Sequence, residues 1–389
     1  MHIWNVCLTH DPALAGMHRA VHDFSRALDA PVLSFDDGGG GRGGSDAGIV
    51  VRRITGGRGW LSRGFHVMPA AAARQADETV AGADLLVVHS LFRAHAPWAE
   101  RWTRRHQRRY WAVPHGCLDP WGLSHRGLLK RLWLRLQGAG YLANAERILF
   151  SSQRSLAKAR RWIPHGRGVV VPWPVDLPTL AGRDAARGRF RSMHGIPAAT
   201  RLLLFVGRLH TVKRPLETIA AFCAAAGNGC HLAIVGMDGD LTRQQLRDAI
   251  PAACRDRVHL VGPLSGSDLA AAYLASDGFI SLSFQENFGY AAADASAFGL
   301  PAILSPGHDL AHEMPARDGR FACGWLLPDD SHAEAVAAIR GFAAATDESL
   351  AAAGELGRKW VGETLSFDRF QSTLAALAAA VPAGSGSAA

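Results

Sequence analysis

Two cations and two acids in the second half of this 389-residue chain have the types and spacings that a charged, hydroxyl-rich ligand needs. Arg208 and Lys213 follow Gly207, at the end of the apolar run "LLLFVG" and just ahead of the apolar stretch "PLETIAAF". Two cations at a strand end beside a helix N-terminus form a site for a diphosphate. The alternative is a solvated basic loop. Glu286 follows the run "GFISLSFQ", and Asp294 interrupts the alanines of "YAAADASAF". They stand eight positions apart, and eight helical residues span at most about 12 Å. That is comparable to a nucleoside diphosphate sugar, and each carboxylate can accept hydrogen bonds from paired hydroxyls. Asp294 could instead be satisfied by a backbone group, since an unpaired acid among apolar residues is costly. Between the acids, Asn287, Phe288 and Gly289 form a turn whose N–H groups can donate to a ligand, because glycine leaves the backbone approachable.

The elements that must carry these residues are short apolar strands alternating with helical stretches. "HIWNVCL", "PVLSF", "GIVVRRI", "ADLLVVHS", "RRYWAVPHG", "RILFSS" and "GVVVPWP" make a first series of strands. "RLLLFVG", "HLAIVG", "RVHLVGP", "GFISLS", "LPAILS" and "GWLLP" make a second. Alternation of this kind implies parallel sheets covered on both faces. Two series predict an α/β protein of two Rossmann-like domains with a cleft between them, and open α/β sheets bind ligands at the carboxyl ends of their strands. The proline-rich stretch "PWPVDLPTLAGRD" marks the boundary. "DDGGGGRGGSD" (36–46) matches a dinucleotide-binding glycine pattern formally, but a strand follows it instead of a helix. It therefore reads as a flexible loop, with no helix N-terminus for a pyrophosphate.

The length suits two domains, and 48% hydrophobic with 20% charged residues suits a soluble, folded chain. The N-terminal stretch does not read as a secretory signal, and no apolar run is long enough to span a membrane. The six scattered cysteines form no C-x-x-C pair, which argues for a reducing compartment and against a zinc site. Residues 1–180 hold 24 Lys and Arg against 13 Asp and Glu, whereas residues 181–389 hold 18 against 21. A basic first half points to an anionic partner. The stretches 96–116 and 125–137 mix arginines with Trp98, Trp102, Trp111 and Trp133. Such a surface suits an anionic membrane; the plainer reading turns the tryptophans to the core and the arginines to water. Nucleic acid is not expected as a partner, since no recognised RNA- or DNA-binding signature is present.

The second half resembles glycosyltransferase family 4, group 1, of the GT-B fold. The resemblance rests on "FVGRL" followed by Lys213, on "VHLVGPLSGSDLAAAYLASDGFISLS" and on "ENFGYAAAD", in order and at the right spacing through most of 200–330. The family carries glutamate at both ends of the last element, whereas this chain has Asp294 at the second. That side chain is one bond, about 1.5 Å, shorter. In the first half, "VPHGCLDPWGLSHRGLLKRL" is similar to a segment of bacterial exopolysaccharide and lipopolysaccharide glycosyltransferases.

The resemblance implies an N-terminal acceptor-binding domain over 1–174 and a C-terminal nucleotide-sugar-binding domain over 175–365. It further implies a helix over 366–381 packed back on the first domain, with 382–389 expected as a disordered tail. It implies a retaining, metal-independent hexosyltransferase that takes a UDP-sugar or GDP-sugar and needs no cofactor. No D-x-D cluster stands in a plausible metal-binding place. His115 inherits a position near the donor's reacting sugar, Arg208 and Lys213 the diphosphate, and Glu286 the sugar hydroxyls. Gly16 would offer its N–H to a phosphate, and the backbone at Val261 and Gly262 would read the base. The expected acceptor is a glycan, lipid-linked, with the enzyme cytoplasmic and peripheral at the inner face of the cell membrane in cell-surface polysaccharide synthesis. The rivals are another GT-B enzyme, such as a sugar-nucleotide epimerase or phosphorylase, and a basic membrane- or nucleic-acid-binding protein without catalysis.

Overall fold

The computed structural model describes residues 1–11, 16–35, 44–46, 48–54, 68–124, 127–225, 227 and 229–380. The chain forms two compact units: Met1–Pro174 together with the stretch from Phe367 onward, and Val175–Ser366. Each is an α/β layer structure around a parallel sheet, the architecture that the alternating pattern predicts.

In the first unit the strands are β1 (Ile3–Cys7), β2 (Val32–Ser34), β3 (Gly44–Asp46), β4 (Ile49–Arg53), β5 (Leu85–His89), β6 (Arg109–Val113), β7 (Arg147–Phe150) and β8 (Gly168–Val170). Their order in the sheet is β3-β4-β2-β1-β5-β6-β7-β8. All neighbours pair in parallel except β3 and β4. Every residue of β5 is buried, as expected for a strand with helices on both faces. Leu86, Val88, Trp98, Trp102, Tyr110 and Trp133 share one core. Helix Phe367–Ala379 packs on helix Gly16–Leu28, with Phe370 edge-on to Phe24 at 5.0 Å.

Part of the glycine-rich segment departs from the loop reading. Residues 44–46 pair antiparallel with β4, and Gly48, at φ +86°, lies in the turn between the two strands. Residues 36–43 and 382–389, the rest of that loop and the expected tail, lie outside the described residues.

The second unit comprises β9 (Arg201–Val206), β10 (Cys230–Val235), β11 (Val258–Gly262), β12 (Gly278–Ser281), β13 (Ala302–Leu304) and β16 (Gly324–Leu326), in the order β11-β10-β9-β12-β13-β16. The pair β14 (Ala316–Arg317) and β15 (Arg320–Phe321) forms a separate hairpin. Two apolar clusters, one containing Leu203 and Phe222 and the other Leu202 and Tyr273, pack this sheet. Alternate residues of β9 point to opposite clusters, which follows from the two-residue period of a strand.

In both sheets the first strand lies between the second and a later one, so the chain reverses its winding direction there. The reversal falls between β1 and β5 in the first unit and between β9 and β12 in the second. Helices leaving opposite faces at such a point open a crevice at the strand ends, where α/β proteins bind ligands.

Candidate active site

In the second unit the charged residues gather where the winding reverses. Arg208 and Lys213 follow β9, and Glu286 follows β12. The two loops are tied together: the Phe284 N–H donates to the Val212 carbonyl at 2.8 Å. That bond brings Glu286 beside the short helix Thr211–Lys213, which the His210 ring caps by accepting from the Val212 N–H at 3.1 Å. The Lys213 ammonium forms an ion pair with Glu286 Oε1, the two side chains being 29% and 13% exposed. Sequence reasoning assigned these groups to separate parts of one ligand; in the structure they meet directly.

Behind the pair runs a chain of polar side chains that sequence reasoning missed. Ser283 Oγ donates to Glu286 Oε1 at 3.0 Å. Ser281 Oγ lies 3.1 Å from Ser283 Oγ, and His308 Nε2 lies 2.9 Å from Ser281 Oγ. Each hydroxyl has one proton, so the donors run in one direction: His308 to Ser281 to Ser283 to Glu286. Burial pushes the Glu286 carboxyl up. The Lys213 charge, His308 and the hydrogen bonds from Lys213 and Ser283 outweigh it and leave the group below its ordinary value. Burial drives His308 down to about 4, against the opposing pull of Glu286, so the ring is neutral near pH 7. The signal available in sequence was the serine alternation in "SLSF" and a histidine after the next strand, neither of which specifies a partner.

The other predicted residues of this unit surround the pair. Gly207 donates its N–H to Val235 at 3.0 Å, and Arg208 beyond it is exposed. The Arg208 stem passes Gly239, where a Cβ would stand 3.1 Å from Arg208 Cγ. Asn287 is half-buried, whereas Phe288 is buried and edge-on to Tyr290 at 4.7 Å. Gly289 has φ +76° and starts helix Tyr290–Ala297; a Cβ there would lie 3.2 Å from His308 Nδ1. The N–H groups of Phe288 and Gly289 find no backbone acceptor among the described residues, which leaves them as donors at a helix start. Asp294 is half-buried on that helix. Val261 and Gly262 end β11, and Gly262, at φ +95°, leaves room for the Arg243 guanidinium, which a Cβ would strike. Arg243 is thus a third cation near the strand ends that the sequence did not single out.

Asp238 and Asp240 serve local structure. Asp240 accepts from the Thr211 N–H at 2.9 Å and its hydroxyl at 2.7 Å, and Asp238 accepts from the Arg243 N–H at 3.1 Å. Asp277 likewise holds Arg187 and Arg191, at 2.7 and 2.8 Å.

In the first unit Gly16 is the exposed first residue of helix Gly16–Leu28. His115 follows β6 in a left-handed conformation, φ +49°. Its Nε2 lies 2.9 Å from His89 Nδ1, at the end of β5, and His89 Nε2 lies 3.1 Å from Asn5 Oδ1 on β1. The Asn5 carbonyl can only accept, so His89 donates from Nε2 and accepts at Nδ1 from His115 Nε2–H. His115 Nδ1 is then the bare nitrogen of a neutral ring. Burial lowers His115 to about 4 and puts His89 well below the usual histidine range. His95 also donates to the His89 carbonyl, at 2.8 Å.

The tryptophans of the basic stretches are core residues: Trp98, Trp102, Trp111 and Trp133 are 3%, 3%, 0% and 8% exposed. Nearby arginines are largely matched by acids, Arg104 with Glu100, Arg105 with Asp77, Arg108 with Asp84 and Arg109 with Glu146. The Trp-bearing membrane face is therefore corrected. Aromatic rings of this size gain most by burial, and they pack the helices on the sheet.

Residues 187–360 match the family model for glycosyl transferases group 1. The chain is 27% identical over 367 residues to the GDP-mannose:cellobiosyl-diphosphopolyprenol alpha-mannosyltransferase of Komagataeibacter xylinus, covering 89% of this chain and 85% of that protein. It is 32% identical to the D-inositol 3-phosphate glycosyltransferase of Kineococcus radiotolerans, over 44% of this chain and 42% of that protein's length. Among solved structures, Anabaena HepE in complex with UDP and glucose superimposes with a TM-score of 0.78 at 16% identity, covering 98% of this chain and all of that one. Residues 187–360, which hold Arg208, Lys213, Glu286 and Asp294, are therefore the part of the chain that is similar to group 1 glycosyl transferases, within a chain of GT-B fold.

Proposed function

We propose that the protein is a retaining, metal-independent hexosyltransferase that uses a nucleoside diphosphate sugar and a lipid-linked glycan acceptor. The observation that carries this is the Lys213–Glu286 pair at the point where the second sheet reverses its winding. An ammonium and a carboxylate there offer one partner for a diphosphate and one for sugar hydroxyls. The exposed Arg208 adds a second cation for the diphosphate. The mannosyltransferase relative, matched over most of its length, supports a diphosphopolyprenol-linked acceptor and so work at the inner face of the membrane.

In this reaction the bond between the anomeric carbon and the diphosphate oxygen breaks, and a bond to the acceptor oxygen forms on the same face. The departing phosphate takes the acceptor's proton. Positive charge grows on the sugar and negative charge on the diphosphate, so Arg208 and Lys213 stabilise the leaving group. Glu286, fixed by Ser283, orients the sugar through its hydroxyls. Phe288 and Gly289 supply N–H donors, Asp294 faces the ribose, and Val261 and Gly262 border the base. In the first unit, taken by itself, the neutral His115 ring can accept from a hydroxyl and the Gly16 N–H can donate to a phosphate.

A thermal-shift screen of GDP-mannose, UDP-glucose, GDP and UDP tests the donor half. A true donor present at a hundred times its Kd stabilises the protein by about 2.7 kcal/mol. Product analysis with a diphosphopolyprenyl glycan then separates transfer from donor epimerisation. Donor consumed without a new glycosidic bond would reject the transferase reading.

A further inference from the structure

Tryptophan burial leaves a different apolar group on the surface. Residues 127–144 form one continuous helical run, with a π-helical turn at Leu134–Gly138 between two α-helical parts. One face of it is core: Trp133, Leu134, Gly138, Tyr141 and Leu142 are buried. Gly138 is required there, since a Cβ would lie 2.5 Å from the Trp133 ring. The other face carries Leu128, Leu129, Leu132 and Leu136, which are 84%, 66%, 52% and 73% exposed. Four of the ten exposed large apolar side chains among the described residues thus fall within nine positions, on one side of one helix. Scattered surface leucines need no explanation, but a contiguous apolar stripe marks a contact surface.

The charges name the partner. Arg131 and Arg135, one turn apart, are exposed among these leucines. Neither forms an ion pair among the described residues, whereas the arginines at 104, 105, 108 and 109 do. No acidic residue occurs between Pro120 and Ala145. A leucine stripe flanked by unmatched guanidinium groups complements the acyl boundary and phosphate groups of an anionic bilayer. We propose that this face of the 127–144 run, through its leucines and not its tryptophans, docks the protein on an anionic lipid surface. The inference gives the lipid-linked acceptor reading its setting, but it concerns lipid binding alone and is measured without turnover.

The test is flotation of the full chain with vesicles of phosphatidylcholine and phosphatidylglycerol, and with phosphatidylcholine alone. Wild type should float with the anionic vesicles about tenfold or more better than with neutral ones, an advantage that salt reduces. Changing Leu128, Leu129, Leu132 and Leu136 together to Ser should abolish flotation, and R131E with R135E should remove the anionic preference. Both sets are exposed, so unchanged melting temperatures are expected and are checked first. The donor-induced thermal shift of the same variants reports separately on the catalytic reading. Equal flotation of wild type and the serine variant would overturn the proposal. So would equal wild-type recovery on neutral and anionic vesicles. A wild-type dimer that the serine variant converts to monomer, with no flotation, would assign the stripe to a second copy of this chain instead.

Discussion

The two units place polar chains at equivalent points of their sheets, yet the chains end differently. In the second unit, His308, Ser281 and Ser283 lead to a carboxylate paired with an ammonium. In the first, His115 and His89 lead to the Asn5 carbonyl, with no formal charge in the line. The first chain is one that can sit against a growing positive charge without supplying one, because its rings stay neutral near pH 7. The second holds the opposite charges that a diphosphate and sugar hydroxyls would engage. Burial, joined at His89 by the neighbouring rings, explains the neutral chain; the charged one persists because the ammonium compensates the carboxylate.

The largest effect should come from breaking the charged chain. Glu286→Gln and Lys213→Ala should each lower kcat about 10²- to 10³-fold, measured by donor turnover. Lys213→Ala should also destabilise the fold, because a carboxylate 13% exposed loses its countercharge. Adding Glu286→Gln to that variant should restore part of the stability in urea melts. A fully additive double variant would mean that the pair is not coupled.

The neutral chain should respond less. His89→Ala should lower kcat about tenfold to a hundredfold by letting the His115 ring turn. His89→Asn, which keeps a donor and an acceptor, should recover part of that loss, a rescue that mere packing would not give.

Both units should lose stability in acid. A histidine whose folded value is depressed contributes stability above its unfolded value, near 6.5, and loses it as pH falls toward the folded one. His95, His115, His259 and His308 fall to about 4, so the loss should run from about pH 6.5 down to about 4. Glu286 extends it below its ordinary value of 4.5, since its folded carboxyl is lower still. Urea melts at stepped pH values would show this, and His308→Gln should lower the slope by up to about 1.4 kcal/mol per pH unit within that window.

The smallest contrast lies in the backbone. Gly289 and His115 both hold positive φ, +76° and +49°. Gly289→Ala should cost about 1–2 kcal/mol in a thermal melt. His115→Gly should relieve strain of about the same size while losing the ring's contacts.

The strands were legible because their apolar runs are long and rich in Val, Leu and Ile; β5 and β10, buried throughout, read most plainly. The short β3, β14 and β15 were not, since two or three residues of mixed character carry no period. Glu286, Lys213 and Arg208 were legible as charges at strand ends. The chain behind them was not, because His308 reaches Ser281 only when β12 and β13 pair.

Sequence alone determined the two α/β series, the loops that carry the charges and the excess of cations in the first half, because periodicity and composition act locally along the chain. Tertiary packing decided that Lys213 meets Glu286, that His89 meets His115, and that leucines rather than tryptophans face outward from residues 127–144. Those outcomes depend on which strands become neighbours and which helix face the core can accept. Both are set by contacts between residues far apart in the chain, and no local pattern records them.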